Sequence, residues 1–91
     1  MIGGFKHKGL EELFNSGKTR RIRPDQLKKC ARIVQLLDLA TRPEEMNIVG
    51  LHFHGLQGQP RRWSVRVTAN YRITFAWSGE EALEIELEDY H

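Results

Sequence analysis

The apolar residues of this 91-residue chain change their period partway along it. From Pro24 to Ala40, Leu27, Cys30, Ala31, Val34 and Leu37 recur at intervals of three and four, and Ile33 and Leu36 widen the stripe. That spacing marks an amphipathic helix, with Lys28, Lys29, Arg32 and Gln35 on its opposite side. Past residue 62 the period falls to two. Trp63, Val65, Val67 and Ala69 alternate with Ser64, Arg66, Thr68 and Asn70. Tyr71, Ile73, Phe75 and Trp77 alternate with Arg72, Thr74 and Ala76, and Leu83, Ile85 and Leu87 with Glu84, Glu86 and Glu88. Such segments are strands with one face on a core and the other in water. A chain with both periods must stack a helical layer on a sheet, which makes the fold class α+β.

The local signals divide the rest. Leu10, Leu13 and Phe14 place a first helix over His7 to Phe14, and Asn15-Ser16-Gly17 ends it. Pro24 suits the first turn of the second helix, where its missing N–H is not needed, and Asp25 suits the same positive end. Pro43-Glu44-Glu45-Met46 reads as one more helical turn. Met1 to Phe5 is a candidate first strand weakened by Gly3-Gly4, and Ile48 to His54 is a candidate short strand. Gly55 to Arg62 reads as a loop, with Gly58 and Pro60 as breakers, and Ser78-Gly79-Glu80-Glu81 as a hairpin turn. The expectation is a single domain over residues 1–91, with two N-terminal helices packed on a small antiparallel sheet.

Composition narrows the class of function. The single cysteine, Cys30, excludes an internal disulfide, and its place on the helix stripe reads as a structural thiol. No apolar run nears the roughly 20 residues that span a bilayer, and Met1 to Phe5 does not read as a secretory signal, so the expected location is the cytoplasm. All fourteen Lys and Arg residues lie at or before Arg72, while six of the twelve acids follow it. Residues 1–72 therefore carry +8 and residues 73–91 carry −6. A basic body attracts polyanions, although a solvated surface accounts for the same charges.

Zinc-ligand spacings, a phosphate-binding glycine loop and a nucleophile elbow are all absent from the sequence. Any catalysis would rest on His, Arg, Tyr and carboxylates. His52 and His54 share a face if their segment is extended. Arg66 and Arg72 leave the polar faces of neighbouring strand segments, with Asn70 beside the first, and Arg61 and Arg62 add charge at the loop end. Arg61, Arg62, Arg66 and Asn70 are the candidate RNA- or phosphate-binding residues. Asp89-Tyr90-His91 follows directly on an alternating strand that can hold it in place. These groups suit RNA cleavage by transesterification. Imidazole titrates near neutrality, and arginine keeps its charge against a phosphorane. Tyr90 could stack on a base.

Phe5-Lys6-His7-Lys8-Gly9-Leu10, Trp63-Ser64-Val65-Arg66-Val67, Ala69-Asn70-Tyr71-Arg72-Ile73-Thr74-Phe75 and Glu88-Asp89-Tyr90-His91 resemble the HigB-type toxins of the RelE/ParE superfamily. The resemblance implies a RelE-like, microbial-ribonuclease-like fold and metal-free cleavage of messenger RNA on the ribosome. It implies a HigA-type helix-turn-helix antitoxin as partner, which also binds operator DNA, and no membrane. It marks His54, Arg72, Asp89, Tyr90 and His91 as catalytic, with His91 or Asp89 as base and His54 as acid, roles that could be exchanged. Gln57 stands where some relatives have Lys, and Thr68 where some have Arg; Arg66, on the same strand face, offers a similar charge. Two alternatives share the fold: a gyrase-poisoning toxin of ParE type, and a catalytically weak regulatory member acting through its antitoxin.

Overall fold

The computed structural model describes residues 1–90. Helix α1 (Lys8–Ser16) is followed by a 3-10 turn (Pro24–Gln26), α2 (Leu27–Leu39) and a second 3-10 turn (Pro43–Met46). Strands β1 (His54–Leu56), β2 (Arg62–Arg66), β3 (Tyr71–Ser78) and β4 (Glu81–Asp89) then form one antiparallel sheet in sequence order. The α+β expectation of two helices on an antiparallel sheet describes this architecture.

α1 starts where Nδ1 of His7 accepts the Leu10 N–H at 3.1 Å, which satisfies a donor that the first turn leaves open. It stops at Gly17, whose φ of +78° is open to a residue without Cβ. The second helix is split at its start. The Gln26 N–H reaches back to the Arg23 carbonyl at 2.9 Å, so Pro24–Gln26 is a tighter turn and the α-helix begins at Leu27. α2 buries Cys30, Ile33, Val34 and Leu37, which join Leu10 and Leu13 of α1 against Val65, Ile73, Phe75 and Ile85 of the sheet. Each such side chain contributes about 1.5–3 kcal/mol on burial. Burial also pushes the Cys30 thiol up to about 11, in keeping with a structural role.

The strand expectations are corrected at several points. Ile48 to His54 is not a strand, because Gly50 (φ +92°) and His52 (φ +48°) turn the backbone twice. Pairing starts only at His54 and continues to Leu56, inside the segment expected to be loop. β2 ends at Arg66, because the Val67 and Thr68 N–H groups both turn to the Tyr71 carbonyl, at 2.9 and 3.1 Å.

In β4 the simple alternation fails. Thr74 pairs with Glu86 but Ala76 pairs with Leu83, so β4 carries one extra residue. The excess falls at Glu84, whose φ is +50°. The core side of β4 therefore passes from Ala82 to Ile85, and Leu83 is turned to the other face. The same bulge interrupts the N-terminal segment. Ile2 bridges Ala82 and Phe5 bridges Ile85, both in parallel, and no continuous first strand forms. At the opposite end of the bulge, Gly79 (φ +61°) makes the two-residue β3–β4 turn that the sequence pattern anticipated. Among the described residues no helix is long and apolar enough to cross a membrane.

Two outcomes follow from this packing. Glu84→Val puts a β-branched residue at positive φ, whereas Glu84→Asn does not resist that conformation, so the Val variant unfolds in urea with about 1–3 kcal/mol less stability than the Asn variant. Cys30 alkylates with iodoacetamide at least about 100-fold more slowly in the native protein than in denaturant, because the thiolate is both rare and enclosed.

Candidate active site

Pairing aligns Val65, Ile73 and Leu87 in one row of the sheet and Arg66, Arg72 and Glu88 in the next. Cross-strand partners share a face, and successive residues take opposite faces. The first row packs toward the helices, so the second faces away from them. A further outward row joins His54, Ser64, Thr74 and Glu86. Between these polar rows lies a narrow cleft lined, among the described residues, by His52, His54, Ser64, Arg66, Arg72 and Tyr90. Its free volume is about 30 Å³. That admits a water-sized group but no nucleotide, so a polymer could only lie across the mouth.

The two arginines supply the charge. Among the described residues, neither Arg66 nor Arg72 enters a salt bridge. The Arg72 guanidinium lies 4.6 Å from the centroid of the Tyr90 ring. That contact is worth about 0.5–2 kcal/mol and holds the cation in a fixed plane. Its Nε is buried without a hydrogen-bond partner among the described residues. An unmet buried donor costs about 1–3 kcal/mol, a cost that an accepting anion would offset. Tyr90 is itself anchored, because its N–H donates to the Asn70 carbonyl at 2.8 Å.

Opposite the arginines stand the histidines. His54 is exposed and uses both ring nitrogens: Nδ1 lies 3.0 Å from the His52 carbonyl, and Nε2 lies 3.4 Å from Oγ of Ser64. His52 is not in an extended segment, yet the turn at its own backbone still delivers it to the cleft.

The cleft gathers His54, Arg66, Arg72 and Tyr90 of the expected set, and leaves out others. Arg62 is committed elsewhere. It donates to the Thr74 hydroxyl at 3.0 Å and to the Glu84 carbonyl at 2.9 Å, and pairs with the Glu84 carboxylate at 3.3 Å. Arg61 lies over the Trp63 ring, 5.4 Å from its centroid, beside the loop of Gly55 to Gln59. Asn70 sits in the β2–β3 turn and contributes its backbone carbonyl. Asp89 pairs with Tyr71, one step out of phase with Arg72 and Glu88, and does not line the cleft. His91 lies outside the described residues.

Reading the sequence alone passed over Ser64, Thr74 and Glu88. Ser64 and Thr74 are polar residues on the outward face, yet only 2% and 0% exposed. Their only sequence signal was a small polar residue in phase with Arg66 and Arg72. The Thr74 hydroxyl accepts from Arg62 and donates to the Glu88 carboxylate, so it ties β2 to β4 across β3. A larger depression, lined by Phe5, Pro60, Trp77, Leu83 and Glu84, is mainly apolar. Size therefore does not mark the chemistry here. The small cleft combines two imidazoles, two arginines without a salt bridge among the described residues and a phenol, the equipment for proton transfer beside a phosphate.

Comparison with known proteins agrees with the sequence resemblance. The family model described as "RelE-like toxin of type II toxin-antitoxin system HigB" matches residues 3–91. A protein of Proteus vulgaris named Endoribonuclease HigB is 38% identical over 92 residues, covering 100% of both chains. Toxin HigB-1 of Vibrio cholerae serotype O1 is 32% identical over 89 residues, covering 94% of each chain.

The Thr74 bridge can be tested without reference to activity. Thr74→Val removes the hydroxyl but keeps the branched shape, leaving Arg62 and Glu88 short of a partner. Urea denaturation should show a loss of about 1–3 kcal/mol.

Proposed function

The chain belongs to the RelE-like HigB toxin family of type II toxin–antitoxin systems, and on that footing we propose that it is an endoribonuclease that cuts messenger RNA on the translating ribosome. A toxin of such a system works against an antitoxin partner. In our reading that partner is a HigA-type helix-turn-helix protein, through which the toxin is linked to operator DNA, and both act in the cytoplasm.

One observation carries the reading: His54, Arg66, Arg72 and Tyr90, which come from separate parts of the sequence, line a single cleft. In the reaction, the ribose 2′-oxygen forms a bond to phosphorus and loses its proton to a base. The bond from phosphorus to the 5′-oxygen breaks, and that oxygen takes a proton from an acid. The products are a 2′,3′-cyclic phosphate and a 5′-hydroxyl, so no external reactant is consumed. Arg72 and Arg66 stabilise the dianionic phosphorane with charges that cannot be lost by deprotonation. Tyr90 keeps Arg72 in place and offers its ring to a base. His54 carries one proton transfer, and His91 or Asp89 supplies the other. The Proteus vulgaris relative, named an endoribonuclease and matched end to end, supports the same reaction class.

Primer extension on message purified with and without ribosomes tests this. Breaks are expected only on ribosome-bound message, and Arg72→Ala should lower cleavage about 100-fold or more. Equal cutting of free RNA would remove the ribosome from the reading. DNA breakage with intact message would replace the ribonuclease with a gyrase poison.

A further inference from the structure

We propose that the His52 carbonyl and the Ser64 hydroxyl are positioning groups that hold neutral His54 as its Nδ1–H tautomer, so that Nε2 is the proton acceptor in RNA cleavage. The catalytic clause rests on the ribonuclease reading above; the tautomer clause does not.

Nδ1 of His54 is 3.0 Å from the His52 carbonyl oxygen. A carbonyl has no proton to give, so Nδ1 must be the donor. A neutral imidazole has one N–H, which leaves the lone pair on Nε2. Ser64 Oγ lies 3.4 Å from that nitrogen. Ser64 is 2% exposed, and this contact gives its hydroxyl a use in both protonation states. Toward neutral His54 the hydroxyl donates to Nε2. Toward the imidazolium it turns and accepts from Nε2–H. The contact is long enough for a substrate hydroxyl to take its place on Nε2.

The backbone shows why the carbonyl is available. In an extended strand carbonyls lie in the plane of the sheet and side chains leave it, so a residue's ring does not meet the carbonyl two positions earlier. His52 has a φ of +48°, which non-glycine residues seldom adopt. This turn, just before pairing begins at His54, brings the carbonyl onto the ring. Such a conformation persists only where surrounding structure holds it, and here it sits at the cleft wall.

The step balances simply. As the 2′-oxygen bonds to phosphorus its proton passes to Nε2, and the positive imidazolium then donates to Ser64. The departing 5′-oxygen takes its proton from a second group of the site or from water. This gives His54 the base role in the pair of roles that the sequence left exchangeable.

Two-bond ¹H–¹⁵N correlation spectra of the ¹⁵N-labelled full-length chain read the tautomer directly, with His54→Gln identifying the His54 signals. In the neutral form, the Nδ1–H pattern is expected for His54. An Nε2–H pattern in the unmodified protein would overturn the proposal while leaving the ribonuclease reading intact. Absence of any RNA cleavage by a protein with the Nδ1–H pattern would overturn the catalytic clause together with that reading. His52→Gly tolerates positive φ and His52→Val does not. The Val variant should lose the Nδ1–H pattern that the Gly variant keeps, and its kcat should be at least tenfold below the Gly variant's, with KM within twofold. Equal spectra and equal kcat in the two variants would show that the His52 backbone positions nothing.

Discussion

The row of Val65, Ile73 and Leu87 across β2, β3 and β4 is the constraint on which the rest depends. Side chains in a strand alternate with a strict period of two, so register decides faces all at once. With Val65 and Ile73 fully buried under the helices, Arg66 and Arg72 are forced together on the other side. A slip of one residue would drive both cations into the core and bring Val65 and Ile73 into water. The hydrophobic effect on one face thus assembles the charge on the other.

The bulge in β4 adds a second division. By turning Leu83 outward and setting Glu84 at positive φ, it presents a carbonyl and a carboxylate to Arg62. Arg62 is consumed in that bracing, and Thr74 extends it to Glu88. Arg66 and Arg72 enter no salt bridge among the described residues and line the cleft. An acidic C-terminal stretch could have quenched them. The Thr74 hydroxyl instead engages Glu88, the residue paired across from Arg72. Glu84 and Glu88 are therefore two ends of one network that runs through Arg62 and Thr74.

The other wall of the cleft is built by irregular backbone. Gly50 and His52 break what would have been a strand, and β1 has only three residues. A short edge strand of this kind lacks a partner on one side and tolerates turns that an interior strand would not. The irregularity places two imidazoles against a sheet whose own side chains are regular. Arginines on paired strands and histidines at and just before the start of β1 form an arrangement suited to positioning a phosphate beside a proton acceptor.

Periodicity by itself determined a great deal. The helical stripe of Leu27 to Leu37, the alternation of Trp63 to Trp77, the glycine stop at Gly17 and the hairpin at Gly79 are local properties, and local chemistry decides them. His54, Arg66, Arg72 and Tyr90, which meet in one cleft, were legible as candidates because each sits in a patterned segment or a matched motif. Tertiary structure alone decided which charges are engaged by neighbouring strands. Arg62 and Arg66 have the same side chain and the same strand phase, but Arg62 is engaged by the Glu84 carbonyl and carboxylate and the Thr74 hydroxyl, whereas Arg66 lines the cleft. It also decided that Ser64 and Thr74 are buried, that Leu83 changes face, and that the His52 carbonyl meets the His54 ring. The last two depend on an extra residue or a positive φ, a change of direction that side-chain periodicity does not encode.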